Sequence, residues 1–149
     1  RSISRLGEKT HLRNRSYAMN AFIGTQYIRS LGPPGIVPEV LRVPQLLQLQ
    51  REEIVTWVDV HADYIDSCTF VVEDNILFQG FINFPSARHN RRAGVSFFDG
   101  HSELHRWEDA KTLVPVTGLW NAVPAPATGR SRDWLWMRMR MTRTTTDNW

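Results

Sequence analysis

Only one cysteine occurs in the chain, Cys68, so no intramolecular disulfide can form and a disulfide-stapled scaffold is excluded. Lysine is nearly as scarce: Lys9 and Lys111 stand beside sixteen arginines, a skew that genomic base bias explains more simply than function does. No apolar run approaches the ~18 residues a membrane span needs, and the polar, basic residues 1–14 are not expected to act as a secretory leader. Glycine-rich phosphate loops, Gly-x-Ser-x-Gly, Cys-x-x-Cys and His-Glu-x-x-His are all missing, which removes the compact signatures of nucleotide, nucleophile and zinc chemistry. What remains is an ordinary globular composition, 42% hydrophobic and 22% charged over 149 residues. A chain of that length makes one domain and buries about two-thirds of its unfolded surface. The net charge of +3 permits an anionic partner without demanding one.

The most informative stretch is Phe81 to Trp107, FINFPSARHNRRAGVSFFDGHSELHRW. Three short apolar runs are cut by two turn signals, Asn90-Arg91-Arg92 and Asp99-Gly100. The pattern predicts a meander with strands Leu77–Phe84, Gly94–Phe98 and His101–Trp107. A two-residue primed turn at Asp99-Gly100 sets Phe98 opposite His101, Phe97 opposite Ser102, Ser96 opposite Glu103 and Val95 opposite Leu104. One face of that hairpin then carries Val95, Phe97 and Leu104, and the other carries Ser96, Phe98, His101, Glu103 and His105.

Elsewhere the order is coarser. Residues 1–14 read as a polar, irregular start, and part of Ser16–Ile28 as a strand. Leu31-Gly32-Pro33-Pro34-Gly35 is a firm break, and a short helix fits after Pro44. Ile54–Val60 reads as a central strand buried on both sides. Cys68–Val72 and Ile76–Phe84 read as strands joined by a tight Glu73-Asp74-Asn75 turn. Residues 108–133 form a proline- and glycine-rich excursion that Leu119, Trp120 and Val123 would pin to something apolar. Trp134–Arg143 fits both periods: alternation groups Leu135, Met137, Met139 and Met141, while a helical period groups Trp134, Met137 and Met141. Thr142–Thr146 reads as a frayed tail.

His89, nine intervening residues and Asp99-Gly100-His101 resemble the motif of the prepilin-type processing-associated His-X9-Asp-Gly domain family, whose members are similar to type IV pilins and type II secretion pseudopilins. The flanks Pro85-Ser86-Ala87-Arg88-His89-Asn90 and Glu103-Leu104-His105-Arg106-Trp107 extend the resemblance. So do Arg15–Asn20, Val58–Asp63 and Asp133-Trp134-Leu135-Trp136, in that order along the chain. The resemblance implies an α+β domain, an antiparallel sheet forming the globular head of a pilin-like protein, in one unit over residues 1–149. It implies a non-enzymatic structural subunit, exported to the cell surface, an extracellular filament or the periplasm. Its expected partners are further copies or other pilin-like subunits. Membrane contact is expected only through an N-terminal apolar helix that this chain does not include, and no nucleic acid is expected.

The residues themselves leave rival chemistries open. Asp59 and His61 share one strand face, and His101, Glu103 and His105 share another, so Asp59, His61, His101 and His105 could build a zinc site if their strands were adjacent. Asp59, Asp63 and Asp66 offer a calcium alternative. The same residues also read as hydrogen-bonded polar groups at strand ends. His89 and Asp99 flank opposite ends of one extended strand, roughly 15–17 Å apart, and so serve better as two turn anchors than as one site. Cys68 reads as buried and inert rather than nucleophilic. Arg88, Arg91 and Arg92 suit an anionic polymer. Trp120, Trp134, Trp136, Arg138 and Arg140 read as an aromatic and cationic subunit interface.

Overall fold

The computed structural model describes residues 3–6, 9–12, 16–23, 53–65, 68–74, 79–118 and 131–141. The expected helix after Pro44, the anchoring residues Leu119, Trp120 and Val123, and the tail after Met141 lie outside the described residues. Three sheets are present among those described: a ribbon of β1 (Ile3–Leu6) with β2 (Lys9–Leu12), a ribbon of β6 (Val72–Asp74) with β7 (Gln79–Phe81), and a five-stranded sheet. That sheet runs β5 (Thr69–Phe70), β3 (Tyr17–Asn20), β4 (Val55–Asp59), β8 (Arg92–Phe97), β9 (Ser102–Arg106). It is mixed rather than antiparallel throughout, because β5 joins β3 in parallel, Met19 opposite Thr69. Among the described residues one α-helix, α1 (Arg132–Arg140), packs with the core, and Ala62–Tyr64 forms a short 3-10 turn.

Several expectations change. The first residues are not irregular but form the β1–β2 ribbon, with Leu6 paired to Lys9. The strand before the central hairpin does not join it: β7 pairs with β6, Val72 opposite Phe81, and β4 takes the place beside β8. Glu73 and Asp74 therefore belong to a strand rather than a turn. β4 is central, between β3 and β8, yet Trp57 is 44% exposed, so only one face of this strand is sealed.

The largest correction is one of register. Phe97 N–H donates to the His101 carbonyl at 2.9 Å and Gly100 N–H to the Phe97 carbonyl at 3.1 Å, which makes a three-residue loop of Phe98, Asp99 and Gly100. Gly100, at φ +96°, takes the left-handed position that ends such a loop. The pairing becomes Val95 with Glu103, Gly94 with Leu104 and Ala93 with His105. One residue in the loop moves every β9 side chain to the other face. Leu104, expected inside, is 60% exposed, while His105 and Trp107 turn toward the core. Two consecutive positive φ angles, the mark of a primed turn, occur instead at the other end of β8, in Asn90 and Arg91.

For the described part of segment 134–143, Trp134 to Met141, the helical period holds. Ser131 caps α1 by accepting a bond from Trp134 N–H at 3.3 Å, Asp133 lies in the first turn, and Arg138 and Arg140 lie in the last. Trp134, Met137 and Met141 are buried together with Val55, Val58, Val95 and Phe97 of the sheet and with Phe70, Phe81, Phe84 and Trp107. Each such apolar side chain contributes about 1.5–3 kcal/mol by leaving water.

The register has a measurable consequence. Truncating Phe97 to alanine should cost about 3–5 kcal/mol in chemical denaturation, as a core aromatic does. Leu104→Ala should cost no more than about 0.5 kcal/mol, as an exposed position does. A two-residue turn would instead make Leu104→Ala cost about 2–5 kcal/mol.

Candidate functional site

The polar residues singled out from the sequence cluster at the ends of β4, β8 and β9, where regular pairing stops and backbone donors need other partners. Past β4 the chain bridges Val60 to Pro85, and His61 N–H donates to the Phe84 carbonyl at 2.9 Å. Residues 85–91 then fold back over the end of the sheet. Ser86, fully buried, sits at the centre of this turn. Its N–H donates to the Asp59 carbonyl at 2.7 Å, its carbonyl accepts from Trp107 Nε1 at 2.8 Å, and its hydroxyl accepts from Arg88 Nε at 2.9 Å. Nothing in the sequence marked Ser86 except its place beside Arg88 and His89.

Asp59 is 1% exposed. Arg88 Nη2 donates to its Oδ1, and His89 Nε2 lies 3.7 Å from its Oδ2, which has no hydrogen-bond partner of its own. His89 thus faces strand β4 at one end of β8. Asp99 holds the other end: its Oδ1 accepts from His101 N–H at 3.0 Å and also faces His101 Nδ1. The His101 amide holds the Asp99 carboxyl below its ordinary range. His89 and Asp99 therefore anchor two separate turns of one hairpin, in line with the distance argument.

The four proposed zinc ligands are not brought together. β8 lies between β4, which carries Asp59, and β9, which carries His105, so the strands are not neighbours. His61 is fully engaged elsewhere: its Nδ1 accepts from Asp63 N–H at 3.2 Å, which leaves Nε2–H to donate to the Val114 carbonyl at 2.9 Å. His101 stacks on Phe97 with ring centroids 4.1 Å apart, and His105 stacks on Trp136 at 3.6 Å. The calcium alternative meets the same obstacle. Asp63 Oδ2 accepts from Thr117 N–H at 2.6 Å and Oδ1 from Gly118 N–H at 3.0 Å, while Asp66 lies outside the described residues. Among the described residues no three His, Cys, Asp or Glu side chains converge as metal ligands would.

The proposed aromatic interface is also redistributed. Trp134 is 1% exposed and belongs to the core rather than to a partner surface. Trp136 is sandwiched between His105 and the Arg140 guanidinium, 4.4 Å from its ring centroid, and Arg140 in turn pairs with Glu53 at 2.7 Å. Arg138 lies over Trp134 at 5.3 Å. Trp120 lies outside the described residues. Cys68, expected to be buried, is exposed.

Asp133 is a site residue the sequence reading missed. From the first turn of α1 its two carboxylate oxygens accept from Glu108 N–H at 3.0 Å and Asp109 N–H at 2.9 Å, so it docks the chain leaving β9 onto the helix. An open depression of about 350 Å³ lies nearby, lined by Arg91, Arg106, Trp107 and Glu108. Arg92 stands directly opposite Arg106 across the strand pair.

No protein-family model matches this chain, and neither does any curated protein or solved structure.

Two predictions follow from these contacts. Arg88→Ala leaves the Asp59 carboxylate buried with only His89 beside it, and because Arg88 is itself about one-third exposed the cost by urea unfolding should be about 2–3 kcal/mol, below the about 3–5 of a fully buried pair. Adding Asp59→Asn removes the stranded charge and should recover a large part of that loss. The second concerns pH. Burial is the main cause that lowers His61 below its ordinary value of 6.5, and it does the same for His105 against the opposing pull of Glu103. The unfolded chain therefore binds more protons than the folded one below that value, so stability is complete above pH 6.5 and is lost as pH falls through the lowered folded values. Urea midpoints should drop between pH 7.5 and pH 5, and less steeply in His61→Gln; an equal drop in that variant would remove His61 from the account.

Proposed function

We propose that this chain is the globular head of a pilin-like or pseudopilin-type structural subunit, exported and without enzymatic activity. One observation carries the proposal. The residues of the His89-x9-Asp99-Gly100 motif are committed to the turns of a single hairpin, Asp99 and Gly100 at one end of β8 and His89 at the other, against β4. A motif that specifies a fold suits a subunit whose work is its shape. The remaining buried polar groups fit the same reading. Asp63, Asp133, Asn20 and Asn83 all bond to backbone, which leaves them employed in packing rather than poised for proton or group transfer. An exposed sheet face bearing Tyr17, Trp57 and Leu104, at 49%, 44% and 60% exposure, provides apolar surface of the kind subunit contacts use.

A second reading, an anionic-polymer binding module, is favoured by one feature, the unfavourable placement of Arg92 directly opposite Arg106. The test that separates the readings is electron microscopy of the protein isolated from its own cells, with metal analysis on the same sample. Filaments or an envelope assembly containing the chain are expected. Discrete unassembled particles would overturn the proposal, in favour of the binding module if they hold an anionic polymer in a strongly salt-dependent way, and stoichiometric zinc in the sample would count against a purely structural subunit.

A further inference from the structure

β9 is the last strand on its side of the five-stranded sheet, and among the described residues no strand lies beyond it. The bonds to β8 decide which of its backbone groups are free. Phe97 N–H donates to the His101 carbonyl and Trp107 N–H to the Arg91 carbonyl, both at 2.9 Å. In an antiparallel ladder this alternation turns the backbone of His101, Glu103, His105 and Trp107 toward β8. The N–H and C=O groups of Ser102, Leu104 and Arg106 then point to the open side, a ready template for another strand.

Sheet edges are ordinarily guarded by charges that repel a second edge. The side chains on β9 raise no such repulsion when the strand is laid antiparallel on itself about Leu104. Glu103 then faces His105 of the other copy, and Ser102 faces Arg106. Leu104, 60% exposed, meets its own counterpart at the centre. The open face of the sheet continues this match. Tyr17 reaches across β4 to Gly94, where an added Cβ would lie 3.4 Å from the phenol oxygen, and Gly94 is paired with Leu104. A row from Tyr17, over the buried Asp59 of β4, through Gly94 to Leu104 thus ends at the free edge.

We propose that β9 is a homotypic docking strand: it pairs antiparallel with β9 of a second copy about a two-fold axis at Leu104, joining the two sheets and extending the row from Tyr17 to Leu104 into its symmetry mate. Backbone bonds run between the two Leu104 residues and between Ser102 and Arg106 in both directions, while the Glu103 carboxylates face the His105 imidazoles of the other copy. The contact closes on itself, unlike the head-to-tail contact of a filament. It stands on the geometry of β9 and does not depend on the pilin-like reading.

Analytical ultracentrifugation of the full chain over a concentration series tests the pairing, together with a register-specific cross-link. A monomer–dimer equilibrium is expected, weakened about tenfold or more by Leu104→Lys, which sets two ammonium groups face to face on the axis. Leu104 is exposed, so this variant keeps its fold, and far-ultraviolet circular dichroism verifies that. In a Cys68→Ser background, Leu104→Cys should form an intermolecular disulfide under mild oxidation, because paired residues on the axis hold their Cα atoms about 5.5 Å apart. Ser96→Cys, one strand in from the edge, should not. A chain that stays monomeric, a dimer unaffected by Leu104→Lys, or equal cross-linking from both cysteine variants overturns the proposal.

Discussion

The described loops between strands must still pair the backbone donors they bury, and here carboxylates and amides provide the partners that strands and helices do not. Asp63 receives the amides of Thr117 and Gly118, and Asp133 those of Glu108 and Asp109. Asn83 links the Val71 amide to the Tyr64 carbonyl, and Asn20 reaches from the Phe22 amide to the Val55 carbonyl. An unmet buried amide costs roughly 1–3 kcal/mol, comparable to the burial of one core side chain. Each of these residues therefore decides where a loop can lie, and Asp63 and Asp133 between them hold the chain after β9. The Asp59–Arg88 pair does the same with a full charge, and Ser86 connects that pair to β4 and to Trp107.

The hairpin of β8 and β9 shows how much depends on one residue of loop. With Gly100 in the left-handed region after a turn, His105 and Trp107 fall on the side that carries Ala93, Val95 and Phe97. Trp136 of α1 then finds His105 on one face and Arg140 on the other, with Trp107 and Phe97 edge-on. The helix is seated by this aromatic group at one side and by Trp134, Met137 and Met141 at the other. Asp133 at its first turn completes the attachment. Shifting the hairpin by one residue would put Leu104 in place of the histidine and leave Trp136 without its stack.

Much of this order was legible. The strands β4, β8 and β9 and the turns that bound β8 could be read from alternation and turn residues, and Trp134, Met137 and Met141 do form one helical face. The register could not, because Asp-Gly serves both a two-residue primed turn and a three-residue loop with glycine last. Which strand lies beside β8 is set by tertiary packing: β7 and β4 are both short apolar runs, and only β4 has partners on both sides. At the candidate site the sequence indicated Asp59, His61, His89 and Asp99 but not what they bond. Arg88 lies twenty-nine positions from Asp59 and Val114 fifty-three from His61, separations at which local pattern carries no information.

The two histidines closest to chemistry illustrate why residue type alone misleads. His61 and His105 were candidate ligands on grounds of spacing, yet a metal needs a free imidazole nitrogen, and in His61 both nitrogens are engaged by backbone. His105 turns Nδ1 to Glu103 and its ring face to Trp136. Burial keeps both biased toward the neutral form, which suits an aromatic stack and a carbonyl partner better than a charged side chain would. The same argument applies to Asp59, whose one oxygen is held by a guanidinium that would repel a cation arriving at the other. A polar cluster becomes a reactive site when its groups retain an unmet valence facing solvent or a cavity. Among the described residues His61, Asp63 and Asp133 direct their valences into the protein and one Asp59 oxygen stays unpartnered, while the sheet face of Tyr17, Trp57 and Leu104, with the open edge of β9 beside it, is surface left for interaction.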